Sequence, residues 1–313
     1  MAYKAEVLLD SIGPTGVRLT TGVLTYPRFV HSELLTHRAL SRSSASSRAI
    51  PLAKMLAAVL DDPVIPIRWG SEARGMQQGA ELEAPDRVIC QCEWLAARDM
   101  AVSQARALAK SGLHKSLCNR LVEPWMWITV IVTATDWQNF FRLRCHPDAE
   151  PHIQKIAYMW RDAMEASVPT PRKEGEWHRP YVTGNDKEEL SRELRVALQD
   201  PCDELVNKFR AGAPWSGLAT GQGMTEMLNA ISAARVARVS YLTHDGKRDW
   251  RKDLELADKL RRGSGFGHWA PTEHVAQAMP ASSRRSDGSV EQSGNFRGWR
   301  QYRKTFQNEC APE

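Results

Sequence analysis

The 313-residue sequence has no cysteine framework, no membrane-length apolar run and no internal repeat. Its six cysteines form no C-x-x-C pair, and Cys90 and Cys92 are too closely spaced to hold zinc by themselves. We therefore expect reduced, structural thiols and no metal site. The first residues have no apolar targeting core, and no stretch approaches bilayer length. These absences predict a soluble, cytoplasmic protein with no membrane partner.

Composition and charge leave several function classes open. The net charge of +5, from 42 Lys and Arg against 37 Asp and Glu, suits an anionic small molecule as well as nucleic acid. Eleven tryptophans can fill cores or stack on bases and flavins. The length suits one large domain. We expect a single domain over residues 1–313, with a flexible insertion at about 168–223, where Pro, Gly and charged residues are frequent.

Periodicity predicts an α/β chain. Residues 4–30 alternate around a Gly-Pro-Thr-Gly turn and indicate a β-hairpin, while residues 125–135 are β-branched and aromatic, as in a buried strand. Helical spacing appears at 52–60, 151–166 and 249–262, and residues 224–240 are predicted to form a helix and then a strand. Residues 63–83 indicate a long loop. The strongest helix, 86–117, should stop at Gly112 and bury the recurring residues Cys92, Leu95, Ala96, Met100, Ala107 and Leu108.

The most informative stretch is the polar segment 36–50. It begins Thr36-His37-Arg38 and, after seven residues, continues Ser46-Ser47-Arg48. Guanidinium groups bind phosphate with two parallel hydrogen bonds, and serine hydroxyls with free backbone N–H groups complete an anion site. A nucleotide phosphate is therefore the expected ligand. The alternative is a solvated Ser/Arg loop without a ligand.

The spacing of this stretch resembles that of the flavin-dependent thymidylate synthases, the ThyX family. Its members carry Arg-His-Arg, seven residues, then Ser and commonly Arg two positions later. His37, Arg38, Ser46 and Arg48 fit that pattern, whereas Thr36 stands in place of the first Arg.

Three later segments are similar to the same family. Residues 119–124, Asn-Arg-Leu-Val-Glu-Pro, resemble Ala-Arg-x-Val-Leu-Pro, and residues 139–144, Asn-Phe-Phe-Arg-Leu-Arg, resemble Asn-Phe-Leu-x-Leu-Arg. Residues 267–274, Gly-His-Trp-Ala-Pro-Thr-Glu-His, resemble Gly-His-x-x-Pro-Phe-Glu-His. In short members this last segment comes before the Arg-His-Arg motif, so the resemblance implies a circularly permuted order.

The resemblance implies a fold, cofactors and site residues. The fold would be α/β, with a twisted antiparallel sheet flanked by helices, in a homotetramer with shared active sites. FAD, NADPH and methylenetetrahydrofolate would serve C5-methylation of UMP or dUMP. The implied catalytic residues are Arg144 and Ser46, and the substrate would contact Glu33, Ser44, Ala45, Ser46, Arg48, Arg120 and Arg144. The cofactor would contact Thr36, His37, Arg38, Thr133, Thr135, Asn139, His268 and Ala270.

Two departures affect the substrate. Thr36 removes a guanidinium, and Ser44 stands where short members often have Glu, which favours a pocket that accepts a ribose 2′-OH. Long members with Thr-His-Arg include enzymes that methylate UMP and dUMP in nucleoside-antibiotic synthesis, and this is the activity we expect. The alternatives are a dUMP-specific thymidylate synthase, a family member that binds without turnover, and a non-catalytic nucleic-acid-binding protein. A His268/His274 metal pair is disfavoured by Pro271.

Overall fold

The computed structural model describes residues 3–197, 199–200, 221–241, 249–262, 267–306 and 309. Residues 201–220 of the predicted insertion lie outside the described residues. Within these ranges, no helix is long and apolar enough to cross a membrane.

The sheet is built on the predicted hairpin. Strand β1 (Lys4–Ile12) pairs antiparallel with β2 (Arg18–Pro27), and the turn between them contains Gly16 at a φ of +73°, a conformation that favours glycine. The strand order is β3-β4-β2-β1-β5. β3 (Ser41–Ser44) and β4 (Trp127–Ala134) continue the antiparallel pairing, while the short β5 (Thr170–Pro171) runs parallel to β1. The α/β prediction is confirmed, and the sheet is mixed instead of purely antiparallel.

Helices surround this sheet on both faces. In chain order they are α1 (His31–Leu35), α2 (Leu52–Asp61), α3 (Ala84–Lys110), α4 (Lys115–Cys118), α5 (Gln138–Arg144), α6 (Pro151–Glu165) and α7 (Gly184–Ala197), followed by helices Gly221–Ala237 and Trp250–Arg262. Short 3₁₀ turns include Arg28–Val30, Asn119–Trp125, Arg238–Tyr241, Ala270–His274, Ala281–Ser283 and Tyr302–Thr305. The remaining strands are β6 (Trp177–His178), β7 (Ala276–Ala278), β8 (Gln292–Ser293), β9 (Phe296–Arg297) and β10 (Trp299–Gln301).

Strand β4 is buried on both faces, which explains its nearly continuous apolar sequence. Ile128, Val130 and Val132 point into a core shared with α5 and α6. Ile131, on the opposite face, packs against Val236 at the end of the helix Gly221–Ala237. The chain therefore forms helical layers on either side of one sheet, and the face opposite α6 carries the polar side chains discussed below.

Two sequence-based expectations for individual segments were wrong. The stretch 36–50 is not only a loop, because Ser41–Ser44 pairs with β4 and buries Leu40 and Ala45 beside it. The strand predicted at the end of residues 224–240 is the 3₁₀ turn Arg238–Tyr241, and the helix before it, Gly221–Ala237, already begins within the predicted insertion at about 168–223.

The buried face of α3 also differs from the prediction, although the helix does end before Gly112, whose φ is +87°. Val102 and Ala105 are the buried residues of α3, and Met100 is 65% exposed. The six residues expected to be buried are all exposed or half-buried. The helix packs through Trp94 and through small residues such as Ala101 and Ala109, which allow close approach, while Ile89 and Met100 face outward.

Candidate active site

Arg144, at the end of α5, is held in one orientation by three residues from the α1 segment. Its Nη1 donates to Glu33 Oε2 at 2.9 Å, and its Nε donates to His37 Nε2 at 3.0 Å. Its Nη2 lies 3.3 Å from both the Glu33 carbonyl oxygen and Thr36 Oγ1. Thr36, which replaces the family's first Arg, in turn donates to the Glu33 carbonyl at 2.7 Å. The structure thus brings Glu33, Thr36, His37 and Arg144 together in one cluster.

The charges around this cluster keep its histidine neutral. Burial, followed by the positive charges of Arg144 and Arg42, lowers the pKa of His37 to about 4. His37 therefore accepts from Arg144 at neutral pH, and its ring packs edge-on against Phe140 at 5.0 Å. The pKa of the neighbouring His31 is also lowered to about 4, by burial and by Arg28 and Arg42. Such a concentration of guanidinium groups creates a positive field suited to an anion.

An open groove of about 810 Å³ lies beside Arg144. Glu33, Arg142, His146, Asp148 and Glu150 contribute to its walls. Burial raises the pKa of Glu33, whereas the positive charge of Arg144 acts to lower it. The groove is large enough for a nucleotide-sized ligand and presents both donors and acceptors.

The serine-rich segment is fixed mainly through its backbone. The N–H groups of Ala45 and Ser46 donate to the carbonyl oxygens of Thr129 and Ser240, at 2.9 and 3.1 Å. These N–H groups are therefore already satisfied, so the predicted anion site rests on side chains. Ser44 and Ser46 are half-buried, and within the described ranges their hydroxyls make no hydrogen bond.

Asn119 joins this segment to the Asn119–Trp125 turn. Its Nδ2 donates to the carbonyl oxygens of Ser47 at 2.6 Å and Ile50 at 3.0 Å. The segments that carry Arg48 and Arg120 are therefore adjacent, and both arginine side chains are exposed. The cluster has the donor set that a phosphate requires.

Segment 267–274 packs against β3 and β4 through its last residue. His274 is fully buried, with its Nδ1 2.8 Å from Thr133 Oγ1 and its Nε2 3.1 Å from Ser43 Oγ. His268 and Ala270 are exposed. In the part of the chain that the structure describes, no group of three or more His, Cys, Asp or Glu side chains could hold a metal ion.

The other expected cofactor residues differ in accessibility. Asn139 and Arg38 are exposed. Thr135 is half-buried, and its Oγ1 accepts from the Arg297 backbone N–H at 3.1 Å. Thr133 has 0% exposure and both of its neighbours are protein side chains, so its hydroxyl has no free face for a cofactor.

The sequence reading did not include Ser43, His178 and Thr21, which extend the contacts of Thr133 across the sheet. His178 lies in the segment interpreted as an insertion, so nothing local indicated its burial. The one available signal was the frequency of hydroxyl residues on strands β2 and β3.

Comparison with known proteins gives a match over the part of the chain that contains the Arg144 cluster. A family model described as "Thymidylate synthase complementing protein" (Thy1) matches residues 16–170. Among solved structures, the chain is similar to a UMP/dUMP methylase PolB from Streptomyces cacaoi bound with 5-Br dUMP, at 15% identity and a TM-score of 0.38. The similarity covers 47% of this chain and 66% of that one. No curated protein sequence matches the chain.

The matched range 16–170 contains β2, β3, β4 and the α5 helix, and so includes Arg144 and the residues that hold it. Segment 267–274 lies outside it. Through residues 16–170, the chain belongs to the ThyX-like (Thy1) family of thymidylate synthase complementing proteins.

Proposed function

We propose that the protein methylates C5 of a uracil nucleotide, UMP and/or dUMP, in a flavin-dependent reaction. The observation that carries this proposal is the orientation of Arg144 by Glu33, Thr36 and His37 at the edge of an open groove. A guanidinium held in this way is prepared to donate to the carbonyl edge of a pyrimidine. The family match over residues 16–170 supports the assignment.

Arg144 is the residue that would activate the pyrimidine. Donation to the O2/N3 edge would stabilise the negative charge that develops as C5 becomes nucleophilic. Because the guanidinium is already oriented, little reorganisation is needed when the nucleotide binds. His37 would remain a neutral acceptor for Arg144 throughout, since its pKa is about 4.

The phosphate would bind to Arg48 and Arg120, assisted by the hydroxyls of Ser44 and Ser46 on either side of Ala45. Both arginines are exposed and lie on segments that Asn119 joins. A phosphate with two guanidinium partners explains why so polar a stretch follows β3. Ser46 acts in this proposal as a contact to the substrate and not as a nucleophile.

The donor set also fits a dinucleotide such as FAD. The exposed residues Arg38, Asn139, His268 and Ala270 would hold it next to the Thr36–His37 turn. Thr135 borders this surface, while Thr133 supports it from within the protein. When bound and reduced by NADPH, the flavin would supply hydride, and methylenetetrahydrofolate would supply the carbon.

We further propose that the active protein is a homotetramer. Ile89, Cys92, Ala96 and Met100 recur at spacings of three and four on α3 and are exposed. Such a stripe is typical of a helix that packs against another copy. The periodicity that predicted a buried face would then be satisfied between subunits.

The proposal also includes the arrangement of the chain and its setting. We propose one domain over residues 1–313 with a flexible insertion at about 168–223, and a circularly permuted order in which segment 267–274 completes the site from the C-terminal part. The packing of His274 against β3 and β4 supports that placement. A cytoplasmic location and a role in nucleoside-antibiotic synthesis are parts of the same proposal.

Substitution of Arg144 tests this function directly. Arg144→Gln should lower kcat/KM for nucleotide methylation by about 10²- to 10³-fold, the usual loss when a donor to a developing oxyanion is removed. Arg195→Gln, on the exposed surface of α7, is the matched control and should retain wild-type activity. If Arg144→Gln stays within a few-fold of wild type, Arg144 does not act on the pyrimidine.

A further inference from the structure

Six buried polar side chains form one continuous row of hydrogen bonds across the sheet face opposite α6. None is more than 9% exposed. In order, the contacts are Ser11 Oγ to His178 Nδ1 (3.0 Å), His178 Nε2 to Thr21 Oγ1 (2.8 Å), Thr21 Oγ1 to Thr133 Oγ1 (2.7 Å), Thr133 Oγ1 to His274 Nδ1 (2.8 Å) and His274 Nε2 to Ser43 Oγ (3.1 Å). We refer to these six residues as the buried chain.

The number of available protons requires all hydrogen-bond donors in the buried chain to point in the same direction. Burial lowers the pKa of both His178 and His274 to about 3, so each ring is neutral near pH 7 and carries one N–H. Each hydroxyl also has one proton. If every contact contains a proton, each member must donate on one side and accept on the other. All donors therefore point toward Ser43, or all point toward Ser11.

The Ser11 end decides between these two directions. Arg172 Nε, which can only donate, lies 3.3 Å from Ser11 Oγ. If His178 also donated to Ser11, the Ser11 hydroxyl proton would have no partner at a site with 0% exposure. Such an unsatisfied buried donor costs about 1–3 kcal/mol. If Ser11 instead donates to His178, the unassigned proton is on Ser43, which is 9% exposed.

We propose that the buried chain runs from Ser11 to Ser43. It fixes His178 and His274 as Nε2–H tautomers and leaves the Ser43 hydroxyl proton, at the less buried end, outside the contacts of the buried chain. Through Thr133 and Ser43, His274 is a positioning residue that holds segment 267–274 against β3. Only the effect on nucleotide methylation rests on the proposed function.

Nitrogen-15 spectroscopy tests the direction without reference to activity. In protein labelled with [¹⁵N]histidine, long-range proton–nitrogen correlations distinguish Nε2–H from Nδ1–H rings. We expect Nε2–H at both His178 and His274. An Nδ1–H ring, or a mixture of tautomers, at either position would overturn the proposed direction.

Substitutions at Thr133 test the hydrogen bond between Thr133 and His274. Thr133→Val should move the His274 Nδ1 resonance to that of an unprotonated nitrogen without a hydrogen bond, and Thr133→Ser should restore the wild-type position. Thr129→Val is the matched control, because Thr129 lies on the same strand and pairs with Thr25 at 3.1 Å, outside the buried chain. Equal spectra for Thr133→Val and Thr129→Val would refute the contact.

The positioning role has a separate readout. Thr133→Val should lower kcat/KM for nucleotide methylation at least fivefold more than Thr129→Val, with recovery in Thr133→Ser. Equal kinetics for the two valine variants would overturn the positioning role and leave the direction intact. The wild-type protein could show Nε2–H at both rings and yet methylate no nucleotide. That result would support the proposed direction of the buried chain and contradict the proposed function.

Discussion

Replacing His274 by glutamine should make the fold less sensitive to acid. The pKa of His274 is lowered by burial from its ordinary value of 6.5 to about 3. Because the folded-state pKa is the lower one, the unfolded chain binds more protons below pH 6.5. The stability that neutral His274 contributes is therefore complete above pH 6.5 and is lost progressively as the pH falls toward 3.

The magnitude follows from the two pKa values. Between pH 7 and pH 5, one such histidine lowers the free energy of unfolding by about 2 kcal/mol, and His178, with the same lowered pKa, should contribute a similar loss. His31 and His37 add losses of the same sign. The wild-type decrease should consequently exceed that of His274→Gln by about 2 kcal/mol.

Urea denaturation at pH 7 and pH 5 measures this difference. His268→Gln, at an exposed position, is the control for removing a histidine and should keep the wild-type decrease. If His274→Gln does not fold well enough, His178→Gln tests the same reasoning at the other buried ring. Equal decreases in wild type and in both buried-site variants would refute the conclusion that these rings are neutral in the folded protein.

Three further substitutions test separate parts of the structure. Gly22→Ala should lower the free energy of unfolding, measured in urea, by about 1–3 kcal/mol, because the added methyl group would overlap the Trp160 ring. Gly184→Ala, where no atom lies within 4 Å of the added methyl group, is the control and should not lower it. Equal stability of the two variants would contradict the packing of Trp160 against Gly22. Thr36→Val should raise KM for the nucleotide about fivefold, because the lost hydrogen bond to Arg144 contributes about 1 kcal/mol. An unchanged KM would show that Thr36 does not orient Arg144 for the nucleotide. Ile89→Asp should dissociate the proposed tetramer in sedimentation experiments, and an unaltered assembly would exclude this face of α3 as an interface.

Local sequence signals predicted much of the fold. The alternation around the Gly-Pro-Thr-Gly turn predicted the β1–β2 hairpin, and the β-branched residues 127–134 predicted β4. Ser41–Ser44 was not recognised as a strand because serine has little preference for strands and β4 supplies the pairing. The buried face of α3 was predicted wrongly because many positions of this helix are alanine, which packs on either side.

The candidate site was predictable where residues lie close in the chain or match a motif. Glu33, Thr36 and His37 are neighbours in sequence, and the resemblance connected them to Arg144. The buried chain could not be predicted, because its contacts join residues more than 100 positions apart, such as Thr21 and Thr133. No local pattern distinguishes the buried His178 from an exposed histidine.

The most direct measurement is a competition assay for nucleotide methylation. The purified protein, with FAD, NADPH and methylenetetrahydrofolate under anaerobic conditions, is given equal amounts of UMP and dUMP, and the nucleotides are analysed by mass spectrometry. We predict 5-methyl-UMP, alone or with dTMP, and its loss in Arg144→Gln. dTMP alone would contradict the predicted acceptance of a ribose. If neither nucleotide gains a methyl group and the protein instead binds oligonucleotides with strong salt dependence, the proposed function is wrong.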